Sequence, residues 1–214
     1  ARCLACNTSV PFEYIRTEGQ NKRIHSSLMA VVGEGKKGRI YITPDQMQVN
    51  AARVEKPSEY PDGVLSGKTW VNVSLYGFNE ITDLFTNRQL TALTTFSELV
   101  GEAQQKAEAD AVAAGMNNDH IALAEGGIGA RAYGEAVGVY LGFCVDKSSD
   151  AWSSIVSWRN SVEASRNTFS RQAIPMVWDY VEVNPVFCHR SACQAGCPAC
   201  FAAVHPSSSV WLTG

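Results

Sequence analysis

The chain has 214 residues, of which 45% are hydrophobic and 18% are charged. This length suits one ordinary domain, or one domain with a small addition, and this composition is typical of a globular protein with a hydrophobic core. The formal net charge of −3 excludes a globally basic nucleic-acid binder, so any contact with nucleic acid must come from local basic patches.

The hydropathy of the sequence, its first residues and its cysteine content bear on the cellular location. No apolar run is long enough to span a membrane and no signal-peptide pattern opens the sequence, so we expect no membrane partner. The seven cysteines are an odd number, which favours reduced thiols or metal ligands over disulfides. Reduced cysteines in turn favour a cytoplasmic location. The first residue is Ala1 and not Met, which suggests a processed product or an excised fragment.

The first motif is Cys3-Leu4-Ala5-Cys6, a C-x-x-C pair. Two thiolates at this spacing can occupy two corners of a tetrahedral zinc site, so Cys3 and Cys6 are candidate metal ligands. Zinc needs two more ligands; His25 is the nearer candidate, and the others lie at the far end of the chain, at Cys188, His189, Cys193, Cys197 and Cys200. The alternative is two inert thiols near a frayed terminus.

A small β unit is predicted next, with strands at 28–32 and 39–42 around the glycine-rich turn 33–38. Basic side chains gather at the tip of this hairpin: Lys36, Lys37 and Arg39. Such a tip is a candidate phosphate contact, independent of base sequence, and the competing interpretation is a solvated turn.

Capping signals then place the helices. The sequence Thr43-Pro44-Asp45-Gln46 predicts a helix capped by Thr43 that ends near Arg53. The alternation in 70–75 predicts a short strand or extended segment. Thr86 and Gln89 predict the start of the longest helix, which should end near Ala114. Leu90, Leu93, Phe96 and Val100 mark its buried stripe.

Gly127-Ile128-Gly129-Ala130-Arg131-Ala132 imitates the dinucleotide-binding pattern G-x-G-x-x-A. A nucleotide-dependent oxidoreductase built on it would need a strand before Gly127, and the segment there is short and alanine-rich. The pattern is therefore interpreted as a loop that enters a helix from Arg131 to Val145, whose small residues permit close packing.

Basic and aromatic residues alternate in the last third of the chain. Trp158 and Arg159 are followed by Arg166, and then by Arg171 and Gln172. Arginine and glutamine present planar donors to phosphates or base edges, and aromatic rings can stack on bases, so this stretch is the best candidate for a nucleic-acid surface. Two alternatives remain open. In one, Ile174, Met176 and Trp178 are core residues and the arginines form a solvated rim. In the other, the tryptophans before them pack in the core against the long helix.

Two stretches carry a resemblance to a known family. The sequences NTFSRQAIPMVWDYVEVNP at 167–185 and FTNRQLTALTTFSELVGEAQQKAEADA at 85–111 resemble putative adenine-specific DNA methylases, large prokaryotic enzymes with a zinc ribbon. The resemblance covers about residues 1–185 and ends there. It implies that Cys3 and Cys6 are the second cysteine pair of a ribbon, with the first pair upstream.

The resemblance also implies a function. By this resemblance the chain would correspond to the central segment of an S-adenosylmethionine-dependent adenine-specific DNA methyltransferase, between the methyl-donor motif and the Asp-Pro-Pro-Tyr motif. It would position double-stranded DNA, while the remainder of the methylase transfers the methyl group. Asn184-Pro185 is followed by Val186 and not by a second proline, so no catalytic residue is assigned, and the chain alone is expected to be inactive.

We therefore expect an α+β fold, mainly helical. Residues 1–55 should form a β-hairpin and half zinc-ribbon unit, residues 56–187 a helical middle domain, and residues 188–214 an irregular cysteine-rich tail. The alternative function is a non-catalytic, cysteine-rich protein-interaction module.

Overall fold

The computed structural model describes residues 2–159, 161, 164–185 and the backbone of 210–213. Helices and small antiparallel sheets are both present, so the predicted α+β class is confirmed. The helices are α1 (Phe12–Gln20), α2 (Gln46–Ala51), α3 (Gly67–Trp70), α4 (Asn87–Ala113) and α5 (Ala130–Ala151). The strands are β1 (Leu28–Gly35), β2 (Gly38–Ile42), β3 (Trp158–Arg159), β4 (Ala164–Ser165), β5 (Tyr180–Val183) and β6 (Val210–Thr213).

Helices α4 and α5 form an antiparallel hairpin. At the start of α4, Thr86 and Gln89 make the predicted capping box, in which each side chain bonds the backbone N–H of the other. The glycines of α5 allow the two helices to approach closely, since a Cβ on Gly134 would lie 2.8 Å from the Gln104 carbonyl oxygen. Close packing against α4 therefore explains Gly134 and Gly138, as the sequence predicts, whereas a Cβ on Gly142 would have no neighbour within 4 Å.

A hydrophobic core lies beside the base of this hairpin, built from Leu65, Val73, Leu84, Ile155 and Ile174. These residues come from both sides of the helical hairpin in sequence, so the core joins the chain before α4 to the chain after α5.

The predicted strand at 70–75 is wrong. The segment contains the end of α3 and a 3-10 turn at Val73–Tyr76. Val73 is fully buried in the core, but Val71 and Leu75 are exposed, so the alternating residues do not share one buried face. A strand needs such a face, and its absence explains why the alternation misleads.

Helix α2 starts two residues later than predicted. Asp45, and not Thr43, is the capping residue: its carboxylate accepts from the Gln48 N–H at 2.7 Å, and the Gln48 amide accepts from the Asp45 N–H at 2.9 Å. The carboxylate with glutamine three residues later forms a complete capping box, which fixes the start. Helix α5 is longer than predicted and continues to Ala151.

The larger sheet has four antiparallel strands in the order β2-β1-β6-β5. Val32 pairs with Tyr41 on one side and with Val210 on the other, and Val210 also pairs with Val183. Within the tail predicted to be irregular, residues 210–213 are thus a central strand, and residues 188–209 and 214 lie outside the described residues. Strands β3 and β4 form a separate two-stranded ribbon.

Candidate nucleic-acid interface

The hairpin of β1 and β2 presents two lysines at its turn. Gly35 pairs with Gly38 and closes the sheet ladder, which leaves Lys36 and Lys37 as the two-residue loop. Gly38 has a φ of 128°, a conformation that a residue with a side chain rarely adopts. Both lysines are exposed, so the turn holds two ammonium groups in solvent at the end of a rigid ribbon.

Arg39, the next residue, connects this hairpin to the second ribbon. Its guanidinium carbon lies 5.3 Å from the centroid of the Trp158 ring, within the range of a cation–π contact. Trp158 belongs to β3, and both residues are half-buried. The contact joins two basic segments that are more than one hundred residues apart in sequence.

The β3–β4 ribbon places two predicted arginines at diagonal positions on one face. Arg159 pairs with Ala164, and the Arg166 N–H donates to the Ser157 carbonyl at 2.9 Å, so the ribbon pairing continues one step beyond β4. Because side chains alternate along a strand, Arg166 shares the face of Ala164 and Arg159. Arg166 is exposed and Arg159 is half-buried.

Arg159 has an unsatisfied donor. Its Nε is buried and has no hydrogen-bond acceptor among the described residues. Leaving a buried donor unpaired costs about 1–3 kcal/mol, and more for a charged group. A phosphate oxygen is the kind of acceptor that a guanidinium binds best, but a phosphate could reach this buried atom only after the ribbon rearranged.

The stretch that carries Arg171 and Gln172 is anchored by Asp150, at the end of α5. Asp150 accepts from the Phe169 N–H at 2.9 Å and from the Asn167 amide, and its Oδ2 lies 2.9 Å from the Lys147 ammonium. Burial alone raises the pKa of the Asp150 carboxyl, but these three donors together bring that pKa below its ordinary value. The carboxylate therefore remains charged and fixes the start of the segment.

Arg171 and Gln172 are exposed beyond this anchor, as the prediction requires. Among the described residues, however, no hydrogen bond, ion pair or ring contact links either side chain to the two ribbons. The structure therefore brings together Lys36, Lys37, Arg39, Arg159 and Arg166 and leaves Arg171 and Gln172 on a separate exposed segment.

Residues 174–180, which follow Arg171 and Gln172, lie in a different environment. Ile174 is buried in the core, as the packing alternative predicts, but Trp178 is 48% exposed and meets the Tyr76 ring edge-on at a centroid distance of 5.0 Å. Together with Lys22 and His25 these rings line a cavity of about 330 Å³. The cavity is at the Tyr180 end of β5, whereas the lysine turn lies beyond the Val183 end, so the cavity is not part of the basic surface.

The predicted zinc ligands form a tight turn. The Cys3 N–H donates to the Thr8 carbonyl at 2.9 Å and the Asn7 N–H donates to the Cys3 carbonyl at 2.8 Å. The Cys6 thiol donates to the Thr8 hydroxyl at 3.2 Å. Once the thiol is deprotonated, the Thr8 hydroxyl and the Thr8 N–H can donate to the thiolate, and this lowers the pKa of Cys6. Two thiols supply half of a tetrahedral site, and the described residues contain no group of three or more candidate ligands.

The half zinc ribbon is therefore not shown. His25 lies among the lining residues of the cavity beside Trp178. The candidate ligands from Cys188 to Cys200 lie outside the described residues. Zinc binding by Cys3 and Cys6 stays a prediction.

The dinucleotide-like glycines precede α5, and the Asp119 carboxylate lies at the N-terminal end of this helix. The Asp119 carboxylate accepts from the Ile128 N–H at 3.2 Å and from the Ile121 N–H at 3.1 Å. A Cβ on Gly129 would lie 2.7 Å from the same carboxylate. A 3-10 turn at Leu123–Glu125, and not a strand, precedes Gly127. An anionic side chain thus fills the position that a pyrophosphate would take.

Two contacts at the candidate site were not predicted from the sequence. The Arg39–Trp158 contact and the Asp150 anchor each join residues that are distant in the chain, and no local pattern specifies such pairs. The local signal was composition, since the basic residue Arg159 follows Trp158 directly.

Comparisons with known proteins found no match that bears on the site. No protein-family model, curated protein or solved structure matches the chain. Within the described part of the chain, every helix is too short or too polar to cross a bilayer.

Proposed function

We propose that this chain is the DNA-positioning segment of an S-adenosylmethionine-dependent, adenine-specific DNA methyltransferase. The observation that carries the DNA contact is the packing of Arg39 on Trp158, which joins the lysine turn and the β3–β4 ribbon into one basic surface. The sequence resemblance supports the enzyme class. In this proposal other segments of the enzyme hold the methyl donor and carry out the transfer.

The surface suits phosphate contacts better than base recognition. Lys36 and Lys37 are exposed point charges, and Arg166 is an exposed arginine on the second ribbon. Contacts of this kind position a duplex without reading its sequence. Arg171 and Gln172, on their separate exposed segment, are the residues left to contact base edges.

The test is binding of the chain to a fluorescently labelled duplex across a salt series. Affinity should fall as salt rises, because each phosphate neutralised contributes a slope of about −0.9 in log–log form. The double variant Lys36→Ala/Lys37→Ala should reduce the magnitude of the slope by about two, and Arg166→Ala by about one. Lys106→Ala is the matched control, because Lys106 is an exposed cation on α4, away from both ribbons.

A neutral substitution separates this surface from general electrostatic attraction. Trp158→Leu leaves the net charge unchanged but removes the ring under Arg39. We expect weaker DNA binding with an unchanged far-ultraviolet circular dichroism spectrum. Absence of binding at low salt, or equal loss of affinity in Lys106→Ala, would contradict the proposal.

A second candidate function is protein interaction, and one observation favours it. The outer face of α5 exposes three large side chains, with Tyr133 at 50%, Tyr140 at 73% and Phe143 at 64% exposure. Exposed apolar groups along one helix face are typical of a protein contact. This alternative predicts that duplex binding is weak and has no salt slope.

A further inference from the structure

A cleft of about 810 Å³ opens between the base of the helical hairpin and the loop at residues 59–61. Its floor is the hydrophobic core, through Leu65, Ile81 and Leu84. This volume lies within the range of about 300–1,000 Å³ that is usual for small-molecule sites, which are also mostly apolar. No predicted site residue and no part of the basic surface contributes to its lining.

Several elements bound the cleft. Helix α4 supplies Leu90 and Leu93, helix α5 supplies Val145, the loop supplies Tyr60, and the segment anchored by Asp150 supplies Phe169. Phe169 is held at its backbone by the Asp150 carboxylate, so this part of the wall is fixed. Walls from four separate segments favour a compact ligand over a long continuous peptide.

The ionisable groups that line the cleft have one sign. They are three carboxylates, Glu59 from the loop, Glu98 from α4 and Asp146 from α5. None of these carboxylates has an ion-pair partner within the described part of the chain. The lining includes no lysine, arginine or histidine.

The lining has four hydroxyl groups, those of Tyr60, Thr94, Ser97 and Ser149, and two of them have partners. The Thr94 hydroxyl donates to the Leu90 carbonyl at 3.0 Å, and the Ser149 hydroxyl donates to the Asp146 carbonyl at 2.7 Å. The carboxylates are therefore the main groups that can select a ligand, and they select for positive charge.

A neighbouring contact shows that the rim accepts a cation. The Lys56 ammonium lies 3.7 Å from the centroid of the Tyr60 ring. Tyr60 lines the cleft, so an ammonium group already packs on an aromatic face at its edge. The charge of Lys56 also offsets part of the negative charge of the rim.

We propose that this cleft binds a small amphiphilic cation, with an aromatic or alicyclic body against the core and an ammonium group among Glu59, Glu98 and Asp146. The proposal is independent of DNA binding, because it uses none of the residues of the basic surface.

Three probes with one ring system test it by isothermal titration calorimetry: 1-naphthylmethylammonium, 1-naphthylmethanol and 1-naphthoate. We expect the cation to bind most tightly and the anion most weakly, with about a tenfold difference between them, since exposed charge pairs contribute little individually but act here in the same direction. Equal affinities, tighter binding of the anion, or no binding of the cation would overturn the proposal.

Variants place the binding in the cleft. Glu98→Gln should weaken the cation about threefold and leave the alcohol unchanged, whereas Glu102→Gln, one turn along α4 and outside the lining, should change neither. Lys56→Gln should strengthen binding of the cation. Ser97→Trp should block all three probes, and because Ser97 is exposed this variant retains the fold. A cation that still binds Ser97→Trp, or a basic leucine-rich peptide that binds while the naphthyl cation does not, would contradict the assignment.

Discussion

Arg88 at the start of α4 and Glu182 in β5 form a two-pronged ion pair, with Nε 2.5 Å from Oε1 and Nη2 2.8 Å from Oε2. The same guanidinium donates to the Ala52 carbonyl, and Thr86 donates to the Glu182 carboxylate at 3.3 Å. The pair thus ties the helical hairpin to the four-stranded sheet and to the chain after α2. Glu182 is only 7% exposed, so its charge depends on these donors.

Removing one partner should therefore destabilise the protein strongly. In Glu182→Gln the guanidinium loses its counter-ion, and we expect the free energy of unfolding to fall by about 2–4 kcal/mol, near the range for a broken buried pair. Urea denaturation followed by circular dichroism measures this change. The exposed pair of Lys106 and Asp110 is the control, and Asp110→Asn should cost less than about 1 kcal/mol. Equal costs at the two pairs would show that the Arg88 pair is not structural.

Gly19 and Gly77 make a backbone contact that no other residue type fits. A Cβ on Gly77 would lie 2.3 Å from the Gly19 carbonyl oxygen, and Gly77 has a φ of 87°. Gly77→Ala therefore meets both a steric clash and the cost of a left-handed backbone, which is about 1–2 kcal/mol on its own. We expect a total loss of stability of about 3 kcal/mol or more, measured as a shift of the urea midpoint.

Substitution of Gly115 measures the cost of the left-handed backbone without the steric clash. It has a φ of 92°, and a Cβ there would have no neighbour within 4 Å. Gly115→Ala should therefore show only the backbone cost of about 1–2 kcal/mol. If Gly77→Ala were no more destabilising than Gly115→Ala, the close approach of α1 to the 3-10 turn would be wrong.

The elements that the sequence predicts well are those encoded locally. Thr86 with Gln89 specifies the start of α4 by contacts within one turn, and the glycine-rich turn around Lys36 specifies a hairpin by its backbone angles. Helix α1, by contrast, carries no side-chain cap, so its start at Phe12 leaves no capping signal in the sequence.

The elements predicted wrongly depend on tertiary packing. Alternation at 70–75 resembles a strand, but only the core can decide that Val73 is buried while Val71 is exposed. The predicted basic residues are exposed or half-buried. Their grouping depends on Arg39 meeting Trp158, and a contact across more than one hundred residues leaves no local pattern.

Cys6 should be the more reactive thiol of the terminal turn. The hydroxyl of Thr8 lowers the pKa of the Cys6 thiol and the side chain is exposed, so a larger thiolate fraction is present at neutral pH. We expect iodoacetamide to alkylate Cys6 faster than the half-buried Cys144, as measured by peptide mass spectrometry at several pH values.

Thr8→Val tests the cause of this reactivity. Valine keeps the shape of the side chain but removes the hydroxyl, so the pKa of Cys6 should rise and its alkylation at pH 7 should slow. Alkylation of Cys144 in the same sample is the internal control and should not change. If the Cys6 rate were unaffected, the contact with Thr8 would not be what activates the thiol.

Asp150 should contribute to the dependence of stability on pH. Its folded-state pKa is lowered from the ordinary value of 3.8, so at acid pH the unfolded chain binds a proton that the native carboxylate resists. The resulting stability is fully present above about pH 5. It is lost as the pH falls below the pKa of Asp150 in the unfolded chain, and it is absent below the lowered pKa of Asp150 in the folded protein. Asp83 has a lowered pKa as well, so Asp150 accounts for part of the acid sensitivity.

Asp150→Asn should therefore flatten the acid limb of the stability curve. The urea midpoint of the variant should lie below that of the wild type at pH 7, because Lys147 loses its partner, and the two curves should converge as the pH falls towards 2. Asp146→Asn is the matched control, since Asp146 lies on the same helix and has no ion-pair partner among the described residues. The Asp150 carboxylate also accepts hydrogen bonds from Asn167 and Phe169. If the difference between the two urea midpoints stayed constant down to pH 2, the geometry of these hydrogen bonds, and not the charge of Asp150, would fix the segment before Arg171.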